Sequence, residues 1–150
     1  MNIRHYQDRD WVRLCEIHDL ARLRELHGAG LIDAFLPLEI AAAREGLFDY
    51  QLLVAECDQR VVGFVAYSED ELAWLYVDPG CFRSGIGRRL IAAAMAAFGG
   101  GLSAEVLQGN LPALALYKAC GFVESGTVHG WMPGNEQYAV TVHVLRHPGH

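Results

Sequence analysis

An α/β domain with a mixed sheet is the architecture that this 150-residue sequence predicts, and three observations lead to it. At 16.6 kDa the chain matches one ordinary core, since single cores are built from roughly 100 to 200 residues. A hydrophobic share of 52% beside 20% charged residues is globular and too apolar for a disordered chain. Finally, the periodicities run strand, two helices, three strands, helix, strand, helix, two strands, which is not the regular alternation of a doubly wound fold. No linker, repeat or low-complexity segment interrupts them, so residues 1–146 are expected to form one domain with a frayed tail at 147–150.

Residues 2–6 suit a short strand. Asp8 or Asp10 then caps a helix in which Trp11, Leu14, Cys15 and His18 recur at i, i+3, i+4 and i+7, with His18 reading as a residue at the core boundary. The glycines of HGAGLIDAFL break that helix, and Pro37 with Gly46 brackets a second. Residues 51–57 and 60–68 are rich in Val, Leu, Phe and Tyr and join through Asp58 and Gln59, the pattern of an antiparallel hairpin. A third strand over 71–77 stops at Asp78-Pro79-Gly80. Helical spacing resumes at Ile86, Leu90, Ala94 and Phe98 and ends at three glycines, 99–101. A strand at 102–107, a short helix at 112–119 and strands at 121–128 and 137–145 complete the order.

The net charge of −6 argues against nucleic acid as a partner, because phosphate binding needs a basic face. The charge is uneven: residues 1–78 carry 15 acids and 7 bases, and residues 79–150 carry 3 acids and 5 bases. No apolar run approaches the roughly 18 to 20 residues of a membrane span, and MNIRHYQDRD has no signal-peptide core, so no membrane partner and a cytoplasmic location are expected. Cys15, Cys57, Cys81 and Cys120 are too widely spaced for a metal or redox motif and are expected to be reduced, with no metal bound.

Between the third strand and the long helix lies GCFRSGIG, residues 80–87. A helix start supplies free N–H groups and a favourable dipole for an anion. A phosphate P-loop fails because Ile86 and Gly87 replace the lysine and hydroxyl, and a dinucleotide fingerprint fails because no acid occurs between Asp78 and Glu105. What survives is a diphosphate held by backbone amides without metal, flanked by Arg83, Arg88 and Arg89.

LYVDPGCFRSGIGRRLI resembles the acyl-coenzyme-A signature of the GNAT superfamily of N-acetyltransferases. A second match follows: Asn110, Ala113, Tyr117, Gly121 and Phe122 fit that family's Asn-x-x-Ala-x-x-x-Tyr-x-x-x-Gly-Phe pattern. The resemblance covers residues 2–146 and implies a GNAT-like, mostly antiparallel central sheet flanked by about four helices. It also implies acetyl-CoA as acyl donor. Phe82 stands where the family usually carries Gln or Arg, which displaces the arginine to Arg83. The cradle implied for the coenzyme is Arg83, Ser84, Gly85, Ile86, Gly87 and Arg88. Leu75, Tyr76 and Val77 on a bulged strand would contact the carbonyl and pantetheine amides, joined by Asn110 and Tyr117.

Acetyl transfer needs a neutral amine, an oxyanion stabiliser and a proton for the leaving thiolate. An amine with a pKa of about 10.4 is neutral in about one molecule in a few thousand at pH 7, so a base is useful. By resemblance Glu71 sits where histone-type members place that base, and Glu105 where ribosomal-protein N-terminal acetyltransferases place theirs. The choice between them stays open. Ala104 and Val106 beside Glu105 would give it a buried setting and a raised pKa. Tyr117, a phenol protonated at neutral pH, is the expected general acid.

The resemblance places the acceptor between residues 28–36 and 129–137, with Phe35 and Trp131 as apolar contacts. The acidic first half of the chain would attract a cationic amine. The expected function is therefore acetyl-CoA-dependent acetylation of a primary amine on a small molecule, by direct attack through a tetrahedral intermediate. A protein or peptide N-terminal acetyltransferase and a non-catalytic acyl-CoA-binding module are the alternatives, and a cysteine hydrolase built on Cys120 or Cys81 stands well behind them. The expected partner is a small-molecule amine or a peptide amino group, and a homodimer is a further partner the resemblance allows.

Overall fold

The computed structural model describes residues 1–82 and 84–149. Strands β1 (Asn2–His5), β2 (Gln51–Cys57), β3 (Arg60–Tyr67) and β4 (Leu72–Val77) form one antiparallel sheet in that order. Strands β5 (Leu102–Leu107), β6 (Val123–Trp131) and β7 (Ala139–His147) form a second, ordered β5-β7-β6. Helices α1 (Trp11–Ala29), α2 (Leu38–Glu45), α3 (Ile86–Phe98) and α4 (Leu111–Ala119) connect and cover them. This is the mixed α/β arrangement that the periodicities predict.

Local chemistry explains most boundaries. Asp58 and Gln59 take positive φ of 53° and 66°, the two-residue turn that matches strand twist in a hairpin. α1 runs through Gly28 and stops at Gly30, whose left-handed φ of 73° lets its N–H reach back to the last turn. Asp10 is buried but does not cap α1 with its side chain. Its carboxylate instead takes two hydrogen bonds from Arg4, at 2.8 and 2.9 Å, and one from the Gln7 N–H. Those bonds, Arg4 first, hold its carboxyl below the usual range.

The last two strands start two residues later than the sequence pattern suggests. A bulge at Ser125 resets the register between the Glu124–Leu145 and Gly126–Val144 pairs, and Gly130 and Trp131 stay paired with Val140 and Ala139. The turn falls at Pro133, Gly134 and Asn135.

Burial is divided between the two faces of the first sheet. Leu90, Ile91, Ala94, Leu102, Tyr117, Phe122 and Leu145 pack on the α3–α4 side, while Leu14, Ile17, Leu38, Leu47, Phe64 and Trp74 pack under α1 and α2. Each fully buried leucine contributes about 1.5–3 kcal/mol. No helix among the described residues is long and apolar enough to cross a membrane.

Candidate active site

The two sheets meet at one point. Glu71 bridges Ser103 in parallel fashion, and the Ser103 N–H donates to Asp70 O at 2.9 Å. Beyond that bridge β4 and β5 share no ladder among the described residues, so the strands part and leave a split. A bulge at Ala73 falls between the Tyr67–Leu72 and Ala66–Trp74 pairs, near the start of the split. The Asp78 N–H donates to Val62 O at 2.8 Å, which fixes the parity of the β3–β4 ladder. Tyr76 therefore bonds to β3, while Leu75 and Val77 turn their backbone groups toward the open edge.

At the far end of β4 the chain turns into α3. Asp78 anchors the turn by pairing with Arg13 and accepting from the Gly80 N–H at 2.9 Å. The Gly80 bond and Arg13 hold its carboxyl below the usual range. Gly85 precedes α3 with φ of 79° and nothing within 4 Å of a notional Cβ. Glycine is required there by conformation, and the space in front is open to a ligand. At Gly87 a Cβ would lie 2.9 Å from the end of the Leu116 side chain, so that side chain would have to shift to admit one. The first turn of α3 has no acidic residue and no side-chain cap, leaving its N–H groups free for an anion. Ser84, Arg88 and Arg89 are exposed around it. Arg83 lies outside the described residues. Phe82 is exposed and lies 5.9 Å from the Arg24 guanidinium.

α4 approaches the split from the second sheet. The Asn110 side chain accepts from the Ala113 N–H at 3.3 Å, capping α4, and its amide donates to Glu25 at 2.8 Å. Seven residues on, Tyr117 is 6% exposed and meets Phe122 edge to face at 5.1 Å. Burial, reinforced by nearby Tyr76 and Glu25, pushes its hydroxyl far above the ordinary tyrosine range.

A cavity of about 650 Å³ is bounded by α1, α2, β4, β5 and the β6–β7 loop. Its wall carries Glu25, Glu45, Glu71, Glu105 and Glu136 against two bases, Arg22 and Arg44. Glu71 is exposed and accepts from the Tyr50 hydroxyl at 3.3 Å. Glu105 also lines the cavity but is exposed, so the buried setting suggested by its apolar neighbours is not found: those neighbours point to the opposite face of β5. Burial raises Glu45 to about 7, with Glu136 adding to the rise and Arg22 opposing it. Phe35 and Trp131 do not line this cavity; their neighbours Ala34, Leu36 and Met132 do, and Trp131 is 64% exposed.

Sequence reasoning missed the polar floor. Arg22 and Glu25 continue the stripe of Trp11, Leu14, Cys15 and His18 by one and two further helical turns, so charged residues occupy positions that face the sheet. That reversal was the available signal. Glu25 accepts from Arg22 at 2.5 Å, from the Tyr76 hydroxyl at 3.4 Å and from Asn110, tying α1 to both sides of the split. All four cysteines are free, and burial raises Cys15 to about 11 and Cys120 above its usual value, the reverse of an activated nucleophile.

The split sheet thus carries an open helix start at the end of β4 and a carboxylate-rich cavity beside β4 and β5. The acetyltransferase (GNAT) domain family matches residues 48–124, just over half of the chain, and the protein belongs to that family. It is thus an acyltransferase. Similar solved structures include ribosomal-protein-alanine N-acetyltransferase from Brucella melitensis, 24% identical with 99% of both chains covered and a TM-score of 0.72. Phosphinothricin acetyltransferase from Sinorhizobium meliloti, in complex with acetyl-CoA, is 18% identical over 99% of this chain and 88% of that one, with a TM-score of 0.74. The putative acetyltransferase yncA from Salmonella typhimurium, with its cofactor acetyl-CoA, is 18% identical over 99% and 93%, with a TM-score of 0.72. At these identities the likeness is one of fold.

Proposed function

We propose that this acyltransferase moves the acetyl group of acetyl-CoA to a primary amine on a cationic small molecule, by direct attack through a tetrahedral intermediate. The observation that carries the reading is the excess of carboxylates on the cavity wall, five against two arginines, which favours a positively charged acceptor. The open space at Gly85 and the free N–H groups of Ile86, Gly87 and Arg88 fit a diphosphate. Ser84 and Arg83 would complete that cradle. The edge groups of Leu75 and Val77, beside Tyr76, would hold the pantetheine amides and steady the developing oxyanion. Asn110 would touch the coenzyme while capping α4.

Tyr117 supplies the proton to the departing thiolate, and its high pKa keeps it protonated at every working pH. Glu71 and Glu105, the two carboxylates expected as base, both line the cavity, where they would draw in the acceptor ammonium. The reading places the reaction in the cytoplasm, within a single domain over residues 1–146, and leaves room for a homodimer.

A second reading, acetylation of a peptide α-amino group, is favoured by Glu105 lining the cavity and by the likeness to the Brucella enzyme named for that activity. Thiol release from acetyl-CoA, measured against amines, aminoglycoside-type amines and short peptides, separates the two. Release with small cationic amines supports the first reading. Release confined to peptides supports the second, and no release with any acceptor contradicts both.

A further inference from the structure

The acetyl-transfer reading leaves the buried imidazole of His18 unused, and a catalytic part for it rests on that reading. His18 is 2% exposed and lines the acceptor cavity. Its ring packs edge to face on Tyr76 at 4.8 Å and lies 6.0 Å from the Trp74 ring. Those two residues flank Leu75, whose backbone groups turn to the open edge of β4, so the imidazole lies over the stretch of strand where the acetyl carbonyl is placed. His18 Nδ1 is 2.9 Å from Asp19 Oδ1, and no other described residue hydrogen-bonds the ring. A carboxylate oxygen only accepts, so Nδ1 carries the proton and Nε2 keeps its lone pair. Asp19 is held in turn, its Oδ1 accepting from the Leu38 N–H at 2.9 Å at the start of α2.

We propose that His18, oriented by Asp19, is the base that takes the proton from the acceptor ammonium, and that Asp19 opens its path to solvent. The balance is simple. One N–H bond of the ammonium breaks and an Nε2–H bond forms; the freed lone pair attacks the thioester carbon, the C–N bond forms and the C–S bond breaks, the thiolate takes the Tyr117 proton, and the second proton shed by the attacking nitrogen restores the Tyr117 hydroxyl. The extra proton on His18 departs through Nδ1–H and Asp19, whose side chain is 34% exposed.

Two of the cavity carboxylates are already engaged. Glu25 is occupied by Arg22, Tyr76 and Asn110, and Glu71 by Tyr50. Burial lowers the His18 value, while Asp19 and Glu25 raise it and Arg22 lowers it. From β4 the ring faces the Tyr76 side chain, and across the cavity stand Arg44 and Glu45 of α2, Glu71, Glu105 and Glu136.

The test is the pH dependence of kcat/KM for His18→Ala and Asp19→Asn, with the acceptor that gives the fastest thiol release. His18→Ala should lose roughly 10²- to 10⁴-fold in kcat, lose the acid limb of the profile, and regain part of its rate when free imidazole is added. Asp19→Asn keeps an oxygen for the Leu38 N–H and so keeps the start of α2. Removing its charge lowers the His18 pKa, so the acid limb should move to lower pH while the plateau falls. If His18→Ala fails to fold, as judged by circular dichroism, His18→Gln and Asp19→Asn carry the test. An active variant with the acid limb unchanged, or a loss that imidazole leaves untouched, overturns the assignment. Wild-type protein that releases no thiol with any acceptor overturns the acetyl-transfer reading itself, and this assignment with it.

Discussion

The two sides of the split are built from different materials. On the side proposed for the coenzyme, the end of β4, the turn and the first turn of α3 present backbone amides, and no acid occurs from Pro79 to Ala104. On the side proposed for the acceptor, the cavity presents side chains from α1, α2, β4, β5 and the β6–β7 loop, with carboxylates in excess. Backbone groups suit a ligand that never changes, because glycine conformation and a helix start set them in place. Side chains suit a ligand that differs from one enzyme to the next, because each can be altered without disturbing the fold.

The largest effect expected from breaking this division lies where the two sides meet. Tyr117→Phe should lower kcat roughly 10²- to 10⁴-fold with the thermal midpoint nearly unchanged, measured by thiol release and calorimetry. On the coenzyme side, Gly85→Val forces a branched side chain into a φ of 79° and fills the space before α3. Left-handed backbone costs such a residue about 1–2 kcal/mol, and coenzyme affinity by calorimetric titration should weaken at least tenfold. Unchanged affinity would remove the diphosphate from that turn.

Asn110→Ala removes the α4 cap and a partner of Glu25, and urea unfolding should register a loss of about 1–2 kcal/mol. The smallest effect belongs to Glu45, raised to about 7 by burial. A carboxyl whose folded pKa exceeds its unfolded value binds more protons when folded, so stability falls as pH rises from about 4.5 to 7. Glu45→Gln should therefore raise the thermal midpoint at pH 8 and leave it nearly unchanged at pH 5.

That same division explains what could be read from the sequence. Gly85, Gly87 and Asn110 sit in two short segments whose spacing reflects local backbone geometry, so both turns and the order of elements were legible. The acceptor cavity joins residues from positions 18 to 142, and no local pattern brings Glu25 of α1 to Asn110 after β5. Arg22 and Glu25 were visible only as charges on a stripe that begins apolar. Asp10 looked like a helix cap because its type and place fit one, whereas the pairing with Arg4 depends on β1 lying alongside. The late start of β6 reflects Gly121 and Phe122, whose N–H groups turn back to Lys118 and Tyr117 to close α4, a closure that period-two patterning does not reveal.

The central claim is that one side binds the coenzyme and the other binds a cationic acceptor. Steady-state KM values for both substrates, measured at pH 8 in Gly85→Val and Glu45→Gln, test it most directly. A crossed pattern is predicted: Gly85→Val raises the KM for acetyl-CoA several-fold and leaves that of the amine within about twofold, while Glu45→Gln does the reverse. Both variants moving the same KM would contradict the account.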